Sequence, residues 1–158
     1  MSKNIYTCDS TQGVRGEWIR PLAKIKLDKG AIAPSRSHSW DAGLDLYAMT
    51  DDLIPVGGRR TFDTGVHIEI PEGYVGYIKS RSGLMVKHGI TTDGTIDAHY
   101  TGSICVSLFN HGLIEYPVKA GDKIAQLVIH PILLPRLELV DSLKETDRGD
   151  AGFGSTGR

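Results

Sequence analysis

Along this chain, hydrophobic and polar residues alternate over short stretches, and glycine, proline or aspartate separates one stretch from the next. The pattern recurs from Lys24 onward and is typical of β-strands joined by tight turns. It predicts strands at residues 24–27, 43–48, 65–70, 74–80, 90–96, 102–110, 123–130 and 137–140. No βαβ alternation and no internal repeat is visible, so we predict an all-β sandwich or barrel.

Segment 102–110 has a clear alternation. Ile104, Val106 and Leu108 share one face, which we expect to lie in the core. The opposite face carries Cys105 and Phe109 and is apolar enough to be partly buried, which indicates a subunit interface. The apolar neighbours of Cys105 also predict a buried, inert thiol.

A single short helix is predicted at residues 83–88, with Ser82 as its N-terminal cap and Gly89 as the left-handed residue that ends it. The segment Ser80-Arg81-Ser82-Gly83-Leu84 then places a hydroxyl, a guanidinium and a glycine at a helix N-terminus. Free N–H groups and the helix dipole favour an anion at such a position. The alternative is an ordinary cap beside a solvated arginine.

Composition restricts the function. The 158 residues are 40% hydrophobic and 23% charged, which suits one globular domain with its own core. The formal net charge of −1 indicates no nucleic acid polymer as partner, so any phosphate binding must be local. No apolar run reaches 18 residues, and we expect no membrane partner and a soluble, cytoplasmic protein. Cys8 and Cys105 are too few for a disulfide framework or a metal cage.

Two polar side chains fall on otherwise apolar strands. Gln126 lies in Gly121-Asp122-Lys123-Ile124-Ala125-Gln126-Leu127, where an unpaired amide would cost about 1–3 kcal/mol. It therefore bonds a neighbouring backbone group or reaches a ligand at the sheet edge. Asp45 faces away from Leu44 and Leu46, and it could hold an arginine or a metal-bound water, or be solvated.

Residues 91–102 combine a turn signal with candidate chemistry. Asp93-Gly94 predicts a β-hairpin turn, whose exposed backbone could read the edge of a base. Asp97 follows this turn, and the ring of Tyr100 could pack against a sugar. Taken alone, Asp97 is as consistent with a turn residue as with a catalytic one.

The last eleven residues, 148–158, contain four glycines, two arginines, two hydroxyl side chains and one aromatic ring. Ordering each residue costs about 1–2 kcal/mol, so we expect the segment to be mobile when alone. Its arginines, with Ser155 and Thr156, suit a polyanion, and Phe153 could stack on a base. We predict an arm that orders on a nucleotide; the alternative is a frayed tail.

These four interior segments and the tail, in this order, resemble the five motifs of the homotrimeric dUTP pyrophosphatases (dUTPases). The resemblance extends from about Lys24 to Arg158. It implies a distorted jelly-roll-like fold with a C-terminal arm exchanged between subunits. The corresponding parts are an extension (1–23), a β domain (24–140) and the arm (141–158). It also implies a homotrimer that uses Mg²⁺ to hydrolyse dUTP to dUMP and pyrophosphate, which keeps uracil out of DNA and supplies dUMP for thymidylate synthesis.

The resemblance assigns roles to individual residues. Asp97 is the general base that activates a water for in-line attack on the α-phosphorus, and Asp45 reaches Mg²⁺ through water. Tyr100 packs against the deoxyribose and leaves no space for a 2′-hydroxyl, and Phe153 lies over uracil. The remaining implied substrate contacts are Arg81, Ser82, Gly83, Thr91, Thr95, Ile96, Gln126, Arg148, Gly154, Ser155 and Thr156.

The chain departs from the family pattern at three positions. Thr91 stands where many members carry asparagine, His99 where many carry a second acidic residue, and Lys123 where arginine is frequent. Backbone recognition of uracil is compatible with Thr91, and Lys123 keeps the charge.

Two other functions compete with the dUTPase interpretation of this sequence. A dCTP deaminase would need an acid or base beside the ring and would lack this tail. A purely regulatory trimer, with residues 1–23 as one surface for a protein partner, should have lost Asp97 or the tail.

Overall fold

The computed structural model describes residues 22–147 and 149–150. Within them, eleven short strands follow one another, with a single helix between the sixth and the seventh. The strands are β1 (Lys24–Leu27), β2 (Leu44–Tyr47), β3 (Asp52–Ile54), β4 (Arg59–Asp63), β5 (Val66–Glu69), β6 (Tyr74–Lys79), β7 (Ile90–Thr91), β8 (Asp93–Ile96), β9 (Cys105–Asn110), β10 (Tyr116–Val118) and β11 (Lys123–Pro131), and the helix is α1 (Ser82–His88). The predicted all-β class with one short helix is confirmed.

Every strand pair is antiparallel. The largest sheet has the order β2-β11-β6-β8, and a second has the order β4-β9-β7. The pairs β1-β5 and β10-β3 complete the strand pairing of the described chain, which does not close into a barrel. Because strands adjacent in sequence belong to different sheets, the chain crosses repeatedly between layers, as in a jelly roll.

The core lies between these sheets and follows the period-two pattern of the strands. Ile104, Val106 and Leu108 are at most 1% exposed, as the alternation predicted. On the opposite face of β9, Cys105 is exposed and Phe109 is 38% exposed in the single chain. The prediction of a buried thiol at position 105 is therefore wrong, because strand parity directs this side chain away from the core. Partial desolvation by neighbouring atoms raises the pKa of this exposed Cys105 thiol, with a smaller contribution from the negative charge of Asp63.

Helix α1 begins one residue earlier than predicted. Arg81, rather than Ser82, occupies the N-cap position, and no side chain caps the helix. Gly89 ends the helix with φ 69° and donates its N–H to carbonyls of the last turn, as predicted. Among the described residues, no helix is long and apolar enough to cross a membrane.

The predicted hairpin at Asp93-Gly94 is wrong. The segment 90–96 instead splits at Thr92, so that β7 pairs with β9 in one sheet and β8 pairs with β6 in another. Gly94 stands opposite Ile78 within the ladder, and its φ is not positive, so it does not form the left-handed turn that the dipeptide suggested.

The predicted strand at 137–140 is absent from the structure. The chain after β11 makes no ladder within the described residues. It exposes a row of apolar side chains: Leu133 (93%), Leu134 (74%), Leu137 (94%), Leu139 (101%), Val140 (49%) and Leu143 (86%). A row of this size is unusual on a monomer and is typical of a surface that another chain covers.

Candidate active site

Strand β11 brings three distant segments to one end of the largest sheet. It lies between β2 and β6, and Gln126 stands opposite Asp45 on one side and Lys79 on the other. Two residues beyond Lys79 the chain reaches Arg81 and enters α1. The pairing of strands alone therefore collects these side chains at one edge.

A pocket of ≈ 350 Å³ opens at this edge. It is lined by Ser37, Asp41, Ala42, Gly43, Asp45, Arg81, Ser82, Gly83 and Gln126. Five of these are predicted site residues, and the structure brings them together: Asp45, Arg81, Ser82, Gly83 and Gln126.

Asp45 contacts two positively charged side chains at the pocket. Its Oδ1 accepts a hydrogen bond from Nε of Arg81 at 3.1 Å, and its Oδ2 lies 2.7 Å from Nζ of Lys123. The residue is 9% exposed, so the two cations balance a largely buried carboxylate. The hydrogen bond with Asp45 raises the pKa of Lys123, and this lysine therefore stays charged at neutral pH. Of the possibilities open for Asp45, the structure shows the one in which it holds an arginine.

The amide of Gln126 donates from Nε2 to the carbonyl oxygen of Ser80 at 3.0 Å. This is the backbone partner that burial required, and the half-buried side chain still lines the pocket. The hydroxyl of Ser80 in turn donates to the carbonyl of Thr92 and accepts from its N–H, both at 2.8 Å. Ser80 thus connects Gln126 in the pocket to Thr92, the residue that precedes β8 and Asp97.

Asp97 and Tyr100 lie on the loop 97–103, which follows β8 and lies outside the pocket lining. Both residues are exposed, and the Tyr100 hydroxyl donates to the carbonyl of Ser103 at 2.9 Å. The Tyr100 ring lies against Gly102, where an added Cβ would come within 2.6 Å of the phenol oxygen. The loop therefore presents an exposed carboxylate and, three residues later, an aromatic ring fixed by its contacts with Gly102 and Ser103.

The other predicted pyrimidine contacts lie along β7 and β8. Thr95 is exposed and Ile96 is buried on β8. The hydroxyl of Thr91 lies 2.9 Å from Nε2 of His111, so that its side chain already has a partner.

Within one chain, the strand register separates Asp97 from Arg81. Strand β8 runs antiparallel to β6, with Ile96 opposite Gly76. Asp97 thus follows the end of β8 beside the start of β6, whereas Arg81 follows the end of β6. At about 3.3 Å per strand residue, the two side chains start roughly 15–20 Å apart. A single copy therefore does not bring the candidate base to the candidate anion pocket.

A comparison with known protein families shows the family of this chain. The dUTPase family model matches residues 29–157, which is most of the chain. The chain belongs to the dUTPase family. It is 49% identical over 139 residues to a deoxyuridine 5′-triphosphate nucleotidohydrolase of Gloeothece citriformis, a match that covers 86% of this chain and 96% of the relative.

Solved dUTPases of phages share the fold. The Staphylococcus bacteriophage 80alpha dUTPase with dUPNHPP superposes with a TM-score of 0.82 at 31% identity, covering 88% of this chain and all of the phage chain (100%). A variant of the phage phi11 dUTPase of S. aureus, described with a structural Mg(II) ion, has a TM-score of 0.72 at 30% identity, covering 77% and 98%.

Sequence reasoning missed part of this dUTPase-family pocket. Ser37, Asp41 and Ala42 line it from the loop before β2, and Gly43 gives the space that Gln126 occupies. The polar run 35–41 was the available signal, but only the fold shows that it borders the pocket. The predicted tail residues Arg148, Phe153, Gly154, Ser155 and Thr156 lie outside the described residues.

Proposed function

We propose that this chain hydrolyses dUTP to dUMP and pyrophosphate. The observation that carries the proposal is the pocket in which Arg81 and Lys123 flank Asp45, set within a chain whose relatives are deoxyuridine 5′-triphosphate nucleotidohydrolases. The phage relative that binds dUPNHPP supports a nucleoside triphosphate as ligand. The reaction would keep uracil out of DNA and supply dUMP.

The pocket would hold the phosphates. Arg81 already offers its guanidinium there, and Ser82 and Gly83 add a hydroxyl and an unobstructed backbone, since nothing lies within 4 Å of a Cβ built at Gly83. Charge-assisted hydrogen bonds from a guanidinium suit phosphate oxygens well. Gln126 lies alongside with its amide oriented by Ser80.

The chemical step would rest on Asp97. An exposed carboxylate can take a proton from a water and direct that water at the α-phosphorus in line with the leaving pyrophosphate. The adjoining Tyr100 would pack against the deoxyribose, while backbone groups of 91–96 pair with the uracil edge. A base whose edge does not match leaves buried polar groups unpaired, and this gives the discrimination against cytosine.

The separation of Asp97 from Arg81 supports a site shared between copies of the chain. In a homotrimer, the pocket of one copy would face the loop 97–103 of its neighbour. The arm at 141–158 would close over the nucleotide on another subunit, with Phe153 over uracil and Arg148, Gly154, Ser155 and Thr156 on the phosphates. The exposed apolar row that precedes this arm fits a segment that lies against another chain.

The donor set of the pocket suits Mg²⁺ held mainly by substrate and water. Among residues 22–147 and 149–150, no three His, Cys, Asp or Glu side chains form a group that could hold a metal ion. The two carboxylates that line the pocket are Asp41 and Asp45, and both oxygens of Asp45 already contact cations. Asp45 would therefore reach the ion through water, which Mg²⁺ prefers to keep. When bound, the ion neutralises phosphate charge.

Mixing two inactive variants tests the shared site. Asp97→Asn should lower kcat by about 10²–10⁴-fold with little change in KM, and Arg81→Ala should also be impaired because it loses phosphate contacts. In trimers assembled randomly from equal amounts of the two variants, about a quarter of the sites would combine an intact pocket with an intact base and regain activity.

The control is each variant assembled alone in the same way as the mixture. Activity is measured as pyrophosphate release from dUTP, dCTP, dTTP and UTP, with and without Mg²⁺. A mixture no more active than its components would place the whole site in one chain. Turnover of dCTP in preference to dUTP, or full activity of Asp97→Asn, would refute the proposed reaction.

A further inference from the structure

His67 connects the loop 97–103 to the edge of the β1-β5 pair. Its Nδ1 lies 2.8 Å from the carbonyl oxygen of Thr101, and its Nε2 lies 3.1 Å from Oδ2 of Asp28. The side chain is 19% exposed, and each ring nitrogen has one partner. Thr101 is the residue after Tyr100, the aromatic side chain that the reaction would use.

Both partners of His67 are acceptors. A carbonyl oxygen and a carboxylate cannot donate, and a neutral imidazole carries a single N–H. Two hydrogen bonds in this geometry therefore require the doubly protonated ring. We propose that protonated His67 is a positioning residue, which holds the loop 97–103 so that Asp97 and Tyr100 meet the nucleotide bound by a neighbouring copy. The inference rests on the proposed function, which assigns those two residues to the reaction.

The loop has other attachments, and they lie on its far side. The hydroxyl of Ser103 donates to Oδ1 of Asp63, and the N–H of Ile104 donates to the carbonyl of Val66 at 2.8 Å. These bonds fix the end of the loop that enters β9. The bond from His67 acts at Thr101, nearer to Asp97. Removing it would therefore loosen the half of the loop that carries the reactive groups while leaving the other half attached.

The charges around His67 favour the cation. Asp28 follows β1 and Asp63 ends β4, whereas Lys26 on β1 opposes them. The hydrogen bond to the Thr101 carbonyl, followed by the one to Asp28, raises the pKa of His67. Because the pKa of His67 is raised in the folded state, the stabilisation by the protonated ring is fully present at low pH. It is lost as pH rises through the folded-state pKa of His67. The loop should thus be held less firmly at alkaline pH.

Three substitutions separate the two bonds. His67→Asn places an amide nitrogen near the position of Nδ1 and keeps a donor for Thr101. His67→Gln places it near Nε2 and keeps a donor for Asp28, and His67→Ala keeps neither. We expect kcat for dUTP to fall about tenfold in the Gln and Ala variants with KM within about threefold, and to stay within about threefold of wild type in the Asn variant.

The dependence of kcat on pH distinguishes a positioning role of His67 from a purely structural one, which would not change it. The kcat of wild type relative to that of His67→Asn should decline as pH passes the titration midpoint of His67. The neutral ring keeps its single N–H for the charged Asp28 and loses its donor to Thr101, whereas the Asn variant keeps that donor at every pH. Nitrogen chemical shifts of the ring should show both nitrogens protonated at about pH 6. His130→Asn is the matched control, because this exposed histidine of β11 packs its ring against Tyr77 rather than against the loop 97–103, and the change should leave kcat and its pH profile unchanged.

Equal kcat in the three His67 variants, despite unequal free energies of unfolding, would assign His67 a structural role and overturn the inference. A neutral ring at about pH 6 would also overturn it. Asp97→Asn is assayed in parallel. If that variant keeps full activity, the proposed function fails, whereas the ring-nitrogen shifts still decide the state of His67.

Discussion

Gly43 and Gln126 occupy the same small space beside the pocket. A Cβ added at Gly43 would come within 2.1 Å of Oε1 and 3.0 Å of Cβ of Gln126. The absence of a side chain at position 43 lets the Gln126 amide from β11 reach the carbonyl of Ser80. Close approach of these two residues thus sets the position of the one amide side chain that lines the pocket in the described part of the chain.

Gly43→Ala should displace Gln126, raise KM for dUTP about tenfold and lower the free energy of unfolding by about 1–3 kcal/mol, because the space cannot hold both groups. In a Gln126→Ala background the same change should cost at least about 1 kcal/mol less, because the clash with Oε1 is removed and only the contact with Cβ at 3.0 Å remains. Urea denaturation of the four proteins measures the coupling. Equal costs in both backgrounds would show that the clash is not with Gln126.

Ser80→Ala should lower the free energy of unfolding by about 1–3 kcal/mol, because the backbone N–H and carbonyl of the buried Thr92 both lose the Ser80 hydroxyl as their hydrogen-bond partner. Ser35→Ala is the matched control. Its hydroxyl bonds the hydroxyl of Tyr47 at an exposed position, so the change should stay within about 0.5 kcal/mol. Thermal or urea unfolding distinguishes them, and similar losses in both variants would contradict the prediction.

Asp45→Asn should leave Arg81 and Lys123 without their shared anion. Inorganic pyrophosphate without Mg²⁺ should then bind a few-fold more tightly, while the Mg²⁺ concentration for half-maximal activity should rise about tenfold. The pKa of Lys123 should fall towards its ordinary value, because the hydrogen bond with Asp45 raises it. Asp52→Asn, which removes an exposed partner of Arg60, is the control and should change neither quantity. An unchanged Mg²⁺ dependence in Asp45→Asn would exclude a role for Asp45 near the ion.

Asp63 predicts an acid dependence of stability. Hydrogen bonds from the Ser103 hydroxyl and from the Gly65 N–H, with the nearby charge of His67, hold the pKa of this carboxyl below its ordinary 3.8. A pKa that is lowered in the folded state stabilises the protein at pH values above the ordinary pKa of the carboxyl. This stabilisation is lost as pH falls through the folded-state pKa. The difference in unfolding free energy between wild type and Asp63→Asn should therefore shrink as pH falls below about 4. Urea titrations from about pH 6 to pH 3 would test this, and a constant difference would contradict it.

The fold class could be predicted because hydrophobic alternation is a local property. The alternation in β9 specified its core face, with Ile104 and Val106 inside. The missed strands lack such alternation: β3 has three residues, β4 contains one buried side chain, Phe62, and β10 contains Pro117. These strands form because neighbouring strands offer backbone partners, and a single sequence does not show which strands are neighbours.

The site was predictable where chemistry lies in contiguous residues. The segments around Arg81 and Gln126 carry recognisable residue types, and strand pairing then brings them beside Asp45. The contact of Lys123 with Asp45, the space at Gly43 and the tether from His67 to Thr101 are long-range contacts. They follow from the packing of strands and become visible once the sheets are known.

The leucine-rich stretch that follows β11 has a consequence for how the protein is made. A newly synthesised chain that has folded its sheets but met no sister chain displays Leu133, Leu137 and Leu139 to the solvent. Such a species would be a target for chaperones and proteases, and would precipitate at high concentration. For a chain that assembles as the proposed trimer, slow synthesis in a dilute cell should therefore yield less surviving enzyme per chain than rapid synthesis, because survival depends on how soon each chain meets its partner subunits.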